Sequence, residues 1–440
     1  MRSRRQSPGG GETLSIKEET VRHMSKHLGR AGALLGAFLA MTLAGKAAAA
    51  SYENCPPATL PSGYDWTAVK DALEDSPFQS GGLIVYHKGQ VVYWSGFGWW
   101  DGQDCETFVD NHNFNVASLS KTYTAALAFA VIEDQHVGLS LNDLVKDYIP
   151  NATSLNSSAF DDSGTPRLVY DHMTIDDLIT MTTGHESVSA WPANVFSCIN
   201  NPFVSFEDCG EEMVAADIAD DPDHAVRVYA PGDAFSYGPM SWQILGLVLV
   251  NAVNHAYSTN YSFTDLVENY LTGSGVCNFP NTTVTRSGNE WPAGGFETDL
   301  FDGGAFAQAL LSGQCGSSHA LLNATSRADM TEVMVPLQSG RCDGVGNCEP
   351  VPVVSSPAQK LSIDYARGQW VFAPEDLSHS TIYMGVGAWG AVTFYSPERD
   401  WAAYIHLDDH LLSGYQDAVE LIINPMGLAE LIDDQVDANP

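Results

Sequence analysis

The chain has 440 residues, 44% of them hydrophobic, with 20 Lys and Arg against 54 Asp and Glu, a formal charge of −34. Phosphate backbones and anionic membrane surfaces repel such a chain, which excludes nucleic acid and lipid headgroups as primary partners. The length and apolar content suit one large globular module, and no internal repeat or low-complexity tract points to a fibrous or disordered protein.

In chain order, residues 31–45 form a small-residue apolar stretch, preceded by Lys26 and Arg30 and followed by Ala47–Ala50 before Ser51. This is the pattern of a secretory signal peptide with an Ala-x-Ala exit. The basic residues fit a start at Met24 better than at Met1, so residues 1–23 read as a misassigned upstream extension. The stretch is too short and too rich in Ala and Gly for a membrane span, and no cysteine follows closely enough for a lipid anchor. The expected mature chain, 51–440, is secreted or periplasmic with no membrane insertion. Residues 1–50 hold eight of the basic and three of the acidic residues, leaving 12 against 51. Such acidity with so little lysine suggests adaptation to salt.

All eight cysteines, Cys55, Cys105, Cys198, Cys209, Cys277, Cys315, Cys342 and Cys348, follow the signal segment, and an even set in an exported chain implies disulfides. Cys198 with Cys209 and Cys342 with Cys348 are close enough to close local loops, while other pairings stay open. There is no Cys-x-x-Cys pair, and no metal or cofactor is expected.

A short helix is predicted around Trp66–Glu74. Gly82–Tyr86 and Gln90–Ser95, split by His87-Lys-Gly89, read as a β-hairpin. Next, Asn115-Val-Ala-Ser-Leu-Ser-Lys-Thr-Tyr-Thr124 passes from a polar turn into the apolar run Ala125–Ile132, a predicted buried helix. Ser118 and Lys121 then share one helix face near its start. Burial lowers a lysine pKa, so Lys121 is a candidate base for a Ser118 nucleophile that needs no histidine. Val137–Pro150 reads as a Gly-stopped helix leading into a short helical turn. The middle, about 151–285, is loop-rich, with helical pieces at Ile175–Thr180 and Trp242–Ala256. Phe301–Leu311 reads as helix, and Ala391–Tyr395 and Trp401–Leu407 as two alternating strands around Ser396-Pro-Glu-Arg-Asp400. A final helix is predicted near Gln416–Ile423. Strands at both ends with helices between imply one sheet completed by distant parts of the chain.

Several of these blocks stand in an order that resembles the serine β-lactamase and penicillin-binding-protein-like hydrolases, a superfamily with class C β-lactamases, D-alanyl carboxypeptidases and esterase-like members. They are the Gly89 hairpin, Val116-Ala-Ser-Leu-Ser-Lys121, Gly138-Leu-Ser-Leu-Asn-Asp-Leu144 and Met173-Thr-Ile-Asp-Asp-Leu-Ile-Thr-Met-Thr-Thr-Gly184. Further on come Ala230-Pro-Gly-Asp-Ala-Phe-Ser-Tyr237, Gln243-Ile-Leu-Gly-Leu247, Pro292-Ala-Gly-Gly295 and Ser396-Pro-Glu-Arg-Asp400. The likeness spans nearly all of residues 80–410 and implies an α/β (α+β), β-lactamase-like fold. Its antiparallel sheet is flanked by helices, in a part covering about 51–140 and 286–440, with a mostly helical part at about 141–285.

The resemblance also implies roles. Ser118 matches the acylated nucleophile, Lys121 its partner base, and Tyr237 the tyrosine that shuttles protons to the leaving group, with Lys121 and Tyr237 sharing the base role. Two positions depart from the pattern. Pro239 replaces the asparagine two residues after the tyrosine. The third element, Lys-Thr-Gly or His-x-Gly on an edge strand, best matches Gly385-Val-Gly387, so Gly385 stands where relatives hold a carboxylate-binding cation or imidazole. The oxyanion hole uses backbone N–H groups, here of Ser118 and Ala388.

The resemblance thus implies a serine hydrolase acting through an acyl-enzyme on a small-molecule ester or amide, esterase-like in lacking a carboxylate requirement. The alternatives are a D-amino-acid peptidase or amidase, or β-lactamase-type activity, with a side chain such as His379 replacing the lost cation, and a non-catalytic binding homologue. His185, His406 and His410 read as surface or hydrogen-bonded histidines, and His406-Leu-Asp-Asp-His410 is not expected to bind metal. Gly-x-Ser-x-Gly is absent, which weakens an α/β-hydrolase reading. Trp94, Trp99 and Trp100 read as core or cleft aromatics.

Overall fold

The computed structural model describes residues 59–440 except 106, 109–112, 150–158, 161–165, 168–171, 184–197, 199–203, 217–230, 285–288, 316–318, 338–340, 343–347, 350–352, 356–362, 374–379, 409–413 and 425. Residues 1–50, read above as a signal segment with its upstream extension, and Cys55, His185, His379 and His410 lie outside the described residues.

In chain order the elements that frame the site are α1 (Thr67–Glu74), the hairpin β1 (Ser80–His87) and β2 (Gln90–Gly98), β3 (Phe114–Asn115) and α2 (Ser120–Glu133). Then come α3 (Ile175–Ile179), β4 (Phe235–Ser236), α4 (Met240–Tyr257), β5 (Thr283–Val284), β6 (Phe296–Thr298) and α5 (Leu300–Ser312). The C-terminal part adds β7 (Asp364–Tyr365), β8 (Trp370–Phe372), β9 (Ile382–Val386), β10 (Ala391–Ser396), β11 (Trp401–Leu407), α6 (Gly414–Ile423) and α7 (Leu428–Asp437).

Seven strands form one antiparallel sheet in the order β7-β8-β9-β10-β11-β1-β2, so the N-terminal hairpin joins the sheet through β1 against β11. On one face lies α5, whose Gly303 and Gly304 allow close approach: a Cβ there would be 2.7 Å from the Tyr404 ring and 2.5 Å from Ile84 Cγ2. On the other face the terminal helices pack through α1, and Asp433 of α7 accepts a hydrogen bond from Trp401 Nε1 at 2.7 Å. With both faces covered, every residue of β10 and β11 is buried. The alternation expected for these strands is therefore not a division between core and solvent.

Of the helix and helical turn predicted in Val137–Pro150, the described residues keep only the turn. Gly138 takes φ +70° to end the turn after α2, and the Asp143 carboxylate accepts from both Ser140 N (3.0 Å) and Ser140 Oγ (2.7 Å). These side-chain bonds satisfy the backbone locally, so only the single turn Val145–Asp147 remains helical. Disulfides join Cys198 to Cys209, one of the expected local loops, and Cys277 to Cys315. No helix among the described residues is long and apolar enough to cross a membrane.

Candidate active site

The helix α2 is buried almost all round, so each of its polar side chains needs a partner. Ser120, Thr122 and Thr124 find them in two backbone segments. Ser120 Oγ accepts from Phe296 N at 3.0 Å, Thr124 Oγ1 donates to Pro292 O at 2.7 Å, and Thr122 Oγ1 donates to Gly368 O at 2.8 Å. The apolar helix thereby gathers the 291–296 loop and the turn between β7 and β8 around its own start.

Ser118 lies in a single 3-10 turn, Ala117–Leu119, that runs directly into α2. Lys121 is 4% exposed, and its Nζ donates to Ser118 Oγ at 2.9 Å and to Ala293 O at 3.1 Å. Burial pushes the Lys121 pKa down from 10.5 to about 7, since both partners are neutral oxygens and neither compensates the lost hydration. Ala117 has φ +46°, a left-handed backbone that costs a non-glycine residue about 1–2 kcal/mol.

Tyr237 follows β4 and is half-buried. Its ring stacks on Trp370 with centroids 5.5 Å apart, and Lys121 Nζ lies 4.8 Å from the Tyr237 centroid. Lysine, serine hydroxyl and tyrosine ring thus share one environment. Pro239 immediately precedes α4, where a residue without an N–H is well accommodated. It offers no amide, and Lys121 is held by the Ala293 carbonyl.

Gly385 lies in β9, and no space has been vacated there. A Cβ at 385 would sit 2.4 Å from Thr122 Oγ1, 2.5 Å from Leu119 Cδ1 and 2.8 Å from Thr393 Oγ1. The sheet rests directly on the Ser118–Lys121 segment, and a larger residue would displace it. Nor is β9 an edge strand throughout. It pairs with β8 over Ile382–Met384, then continues past the end of that ladder for Gly385 and Val386. Gly387 closes the turn to β10 by donating to Ala391 O at 2.8 Å, and a Cβ on it would lie 2.1 Å from Val116 O. That contact brings the turn, and with it Ala388, against the backbone just before Ser118.

Sequence reasoning did not single out Trp370, Thr122 or the Ala293 carbonyl. Two of these act through main-chain contacts that leave no side-chain signature. The Arg367-Gly368 turn between Ile363–Tyr365 and Trp370–Phe372 is a hairpin signal that could have found the third. Arg367 is buried but committed: it bonds Asp176 Oδ1 at 2.5 Å, Glu332 Oε2 at 3.1 Å and Asp329 O at 2.5 Å. His406 is buried and stacked on Phe114, with centroids 3.5 Å apart. Trp94 packs against Phe301, and Trp99 is 68% exposed. Among the described residues no group of three or more His, Cys, Asp or Glu could hold a metal ion.

The family model for Beta-lactamase matches residues 67–410, and the chain belongs to that family. Its fold is similar to that of a putative beta-lactamase from Bacteroides dorei DSM 17855, at 18% identity and TM-score 0.56, covering 85% of this chain and all of that one. EstCE1, described as a hydrolase with promiscuous acyltransferase activity, matches at 14% identity and TM-score 0.55, over 84% of this chain and 96% of its own. The D-amino acid amidase from Ochrobactrum anthropi SV3 matches at 14% identity and TM-score 0.53, over 84% and 99%. No curated protein sequence matches significantly. The chain has a beta-lactamase-type hydrolase fold, mixed α/β around an antiparallel sheet.

Proposed function

We propose that the chain is an exported serine hydrolase that forms an acyl-enzyme at Ser118 on a small ester or unactivated amide with no required carboxylate, esterase-like in its selectivity. The observation that carries this is the buried Lys121 Nζ, 2.9 Å from the Ser118 hydroxyl, with burial pushing its pKa down to about 7. Neutral Lys121 takes the Ser118 proton as Oγ attacks the acyl carbon, and the backbone N–H groups of Ser118 and Ala388 receive the charge on the former carbonyl oxygen. The proton passes, with Tyr237 as the shuttle, to the departing alkoxide or amine. Water then cleaves the acyl-enzyme by the same steps in reverse order.

The esterase-like reading is supported by the closed position at Gly385 and by the engagement of Arg367 with Asp176 and Glu332. Binding a substrate carboxylate there would require displacing an internal one. The solved structure named for EstCE1 is compatible with such chemistry on this fold. The test is a fluorophosphonate probe with mass mapping of the adduct. Labelling at Ser118 that disappears in Ser118→Ala is the expected result, together with turnover of a p-nitrophenyl ester exceeding that of a chromogenic cephalosporin. Labelling at another residue overturns the assignment.

A further inference from the structure

We propose that Asn115 is a positioning residue whose side-chain oxygen clamps Ala117 in the left-handed region and so aims the Ser118 N–H and hydroxyl. The inference rests on Ser118 being the acylated residue.

Left-handed backbone is ordinarily the province of Gly, Asn or Asp, yet position 117 is a buried alanine at φ +46°. Strain of this kind persists only where the surroundings hold it, and here the restraints are explicit. Asn115 Oδ1 accepts from Ala117 N at 2.8 Å, the second N–H along the chain, which is the reach an Asx turn uses. On either side of that bond, Val116 N donates to Phe296 O at 2.9 Å and Leu119 N donates to Val116 O at 3.1 Å. Asn115 is itself fixed in β3, opposite Glu297 of β6. The chain therefore turns from a paired strand into the 3-10 turn within one residue.

The torsions of Ala117 orient the peptide joining it to Ser118, and with it the Ser118 N–H. Around it, the N–H groups of Ala117, Leu119 and Ser120 are donated to Asn115 Oδ1, Val116 O and Ala117 O. The Ser118 N–H is the donor of this run that the turn itself does not use, and an acyl oxygen is its natural partner. If Ala117 relaxed toward a right-handed conformation, that peptide would rotate, turning the N–H and carrying the hydroxyl away from its place beside Lys121. An asparagine two residues before the left-handed position holds it with a side chain and lets a methyl group, in place of glycine, remain packed there.

The test uses the isosteric pair Asn115→Thr and Asn115→Val, with and without an oxygen able to accept the Ala117 N–H. The readouts are fluorophosphonate acylation rate, kcat and KM on a p-nitrophenyl ester, and Tm. The expected result is acylation and kcat about ten-fold lower in Asn115→Val than in Asn115→Thr, the worth of one hydrogen bond, with KM within about two-fold. Adding Ala117→Gly to Asn115→Val should recover several-fold in rate, because glycine adopts the left-handed region without strain. Equal acylation by the Thr and Val variants, or a loss that follows Tm and is not recovered by glycine at 117, overturns the clamp while leaving Ser118 acylation standing. A wild-type chain that takes no label at Ser118 overturns both.

Discussion

Lys121 has been taken out of water and given only neutral oxygens for company, so burial outweighs its hydrogen bonds and the pKa falls to about 7. Two consequences follow at this scale. Ester hydrolysis, read as kcat/KM, should rise with pH through a midpoint near 7 as the lysine loses its proton, then level off. Stability carries the same signature. Between about 7 and 10.5 the unfolded chain holds one proton more than the folded one at this site, so wild-type stability should rise with pH across that window. The control is Lys121→Met, which has no such proton. Urea denaturation of both proteins at about pH 7 and about pH 10 should show the wild type gaining on the variant, and a constant difference would count against a neutral lysine. Ser118 and Lys121 were legible in sequence because their spacing alone puts them on one helix face. Gly385 was legible only as a missing cation. That Thr122 and Leu119 already fill its place depends on how the sheet rests on α2.

The start of α5 shows how an element can be built on an unfavourable charge. Asp299 caps the helix, its Oδ1 accepting from Phe301 N at 2.9 Å and Asp302 N at 2.7 Å, and Asn281 Nδ2 reaches Oδ2 at 2.6 Å. Asp302, one turn on, accepts from Asn281 N at 2.6 Å. Burial pushes both carboxyls up, and the neighbouring Asp299 charge pushes Asp302 further. A raised carboxyl pKa means that the folded chain holds the extra proton, so stability is lost as pH rises above the unfolded value near 3.8. Asp302→Asn keeps an accepting oxygen without the charge. It should match the wild type near pH 3.5, below the unfolded carboxyl value, and exceed it by about 1 kcal/mol or more near pH 8, measured by urea denaturation. A variant less stable at the higher pH would show that the charge is compensated. The boundaries of α2, α4 and α5 were readable within a few residues because each is a long apolar run. Val137–Pro150 departs from the expected helix because Asp143 draws Ser140 into a turn.

For the whole molecule the dominant quantity is the formal charge of −34, from 54 Asp and Glu against 20 Lys and Arg. Self-repulsion of this kind is screened over about 10 Å at 0.1 M salt and more strongly above it. Tm should therefore rise by several degrees between low salt and about 1 M NaCl, and calorimetry at both concentrations checks it. A Tm indifferent to salt would remove charge repulsion as a factor in this fold. The sequence by itself determined the family blocks, the hairpin, the buried helix α2 and the serine–lysine spacing, because these follow from local periodicity and short-range spacing. Only the tertiary structure decided what surrounds that pair: the Ala293 carbonyl on Lys121, the Trp370 ring on Tyr237, and the closing of the sheet over Gly385. Those contacts join residues more than a hundred positions apart through backbone and packing, and no spacing along a chain encodes them.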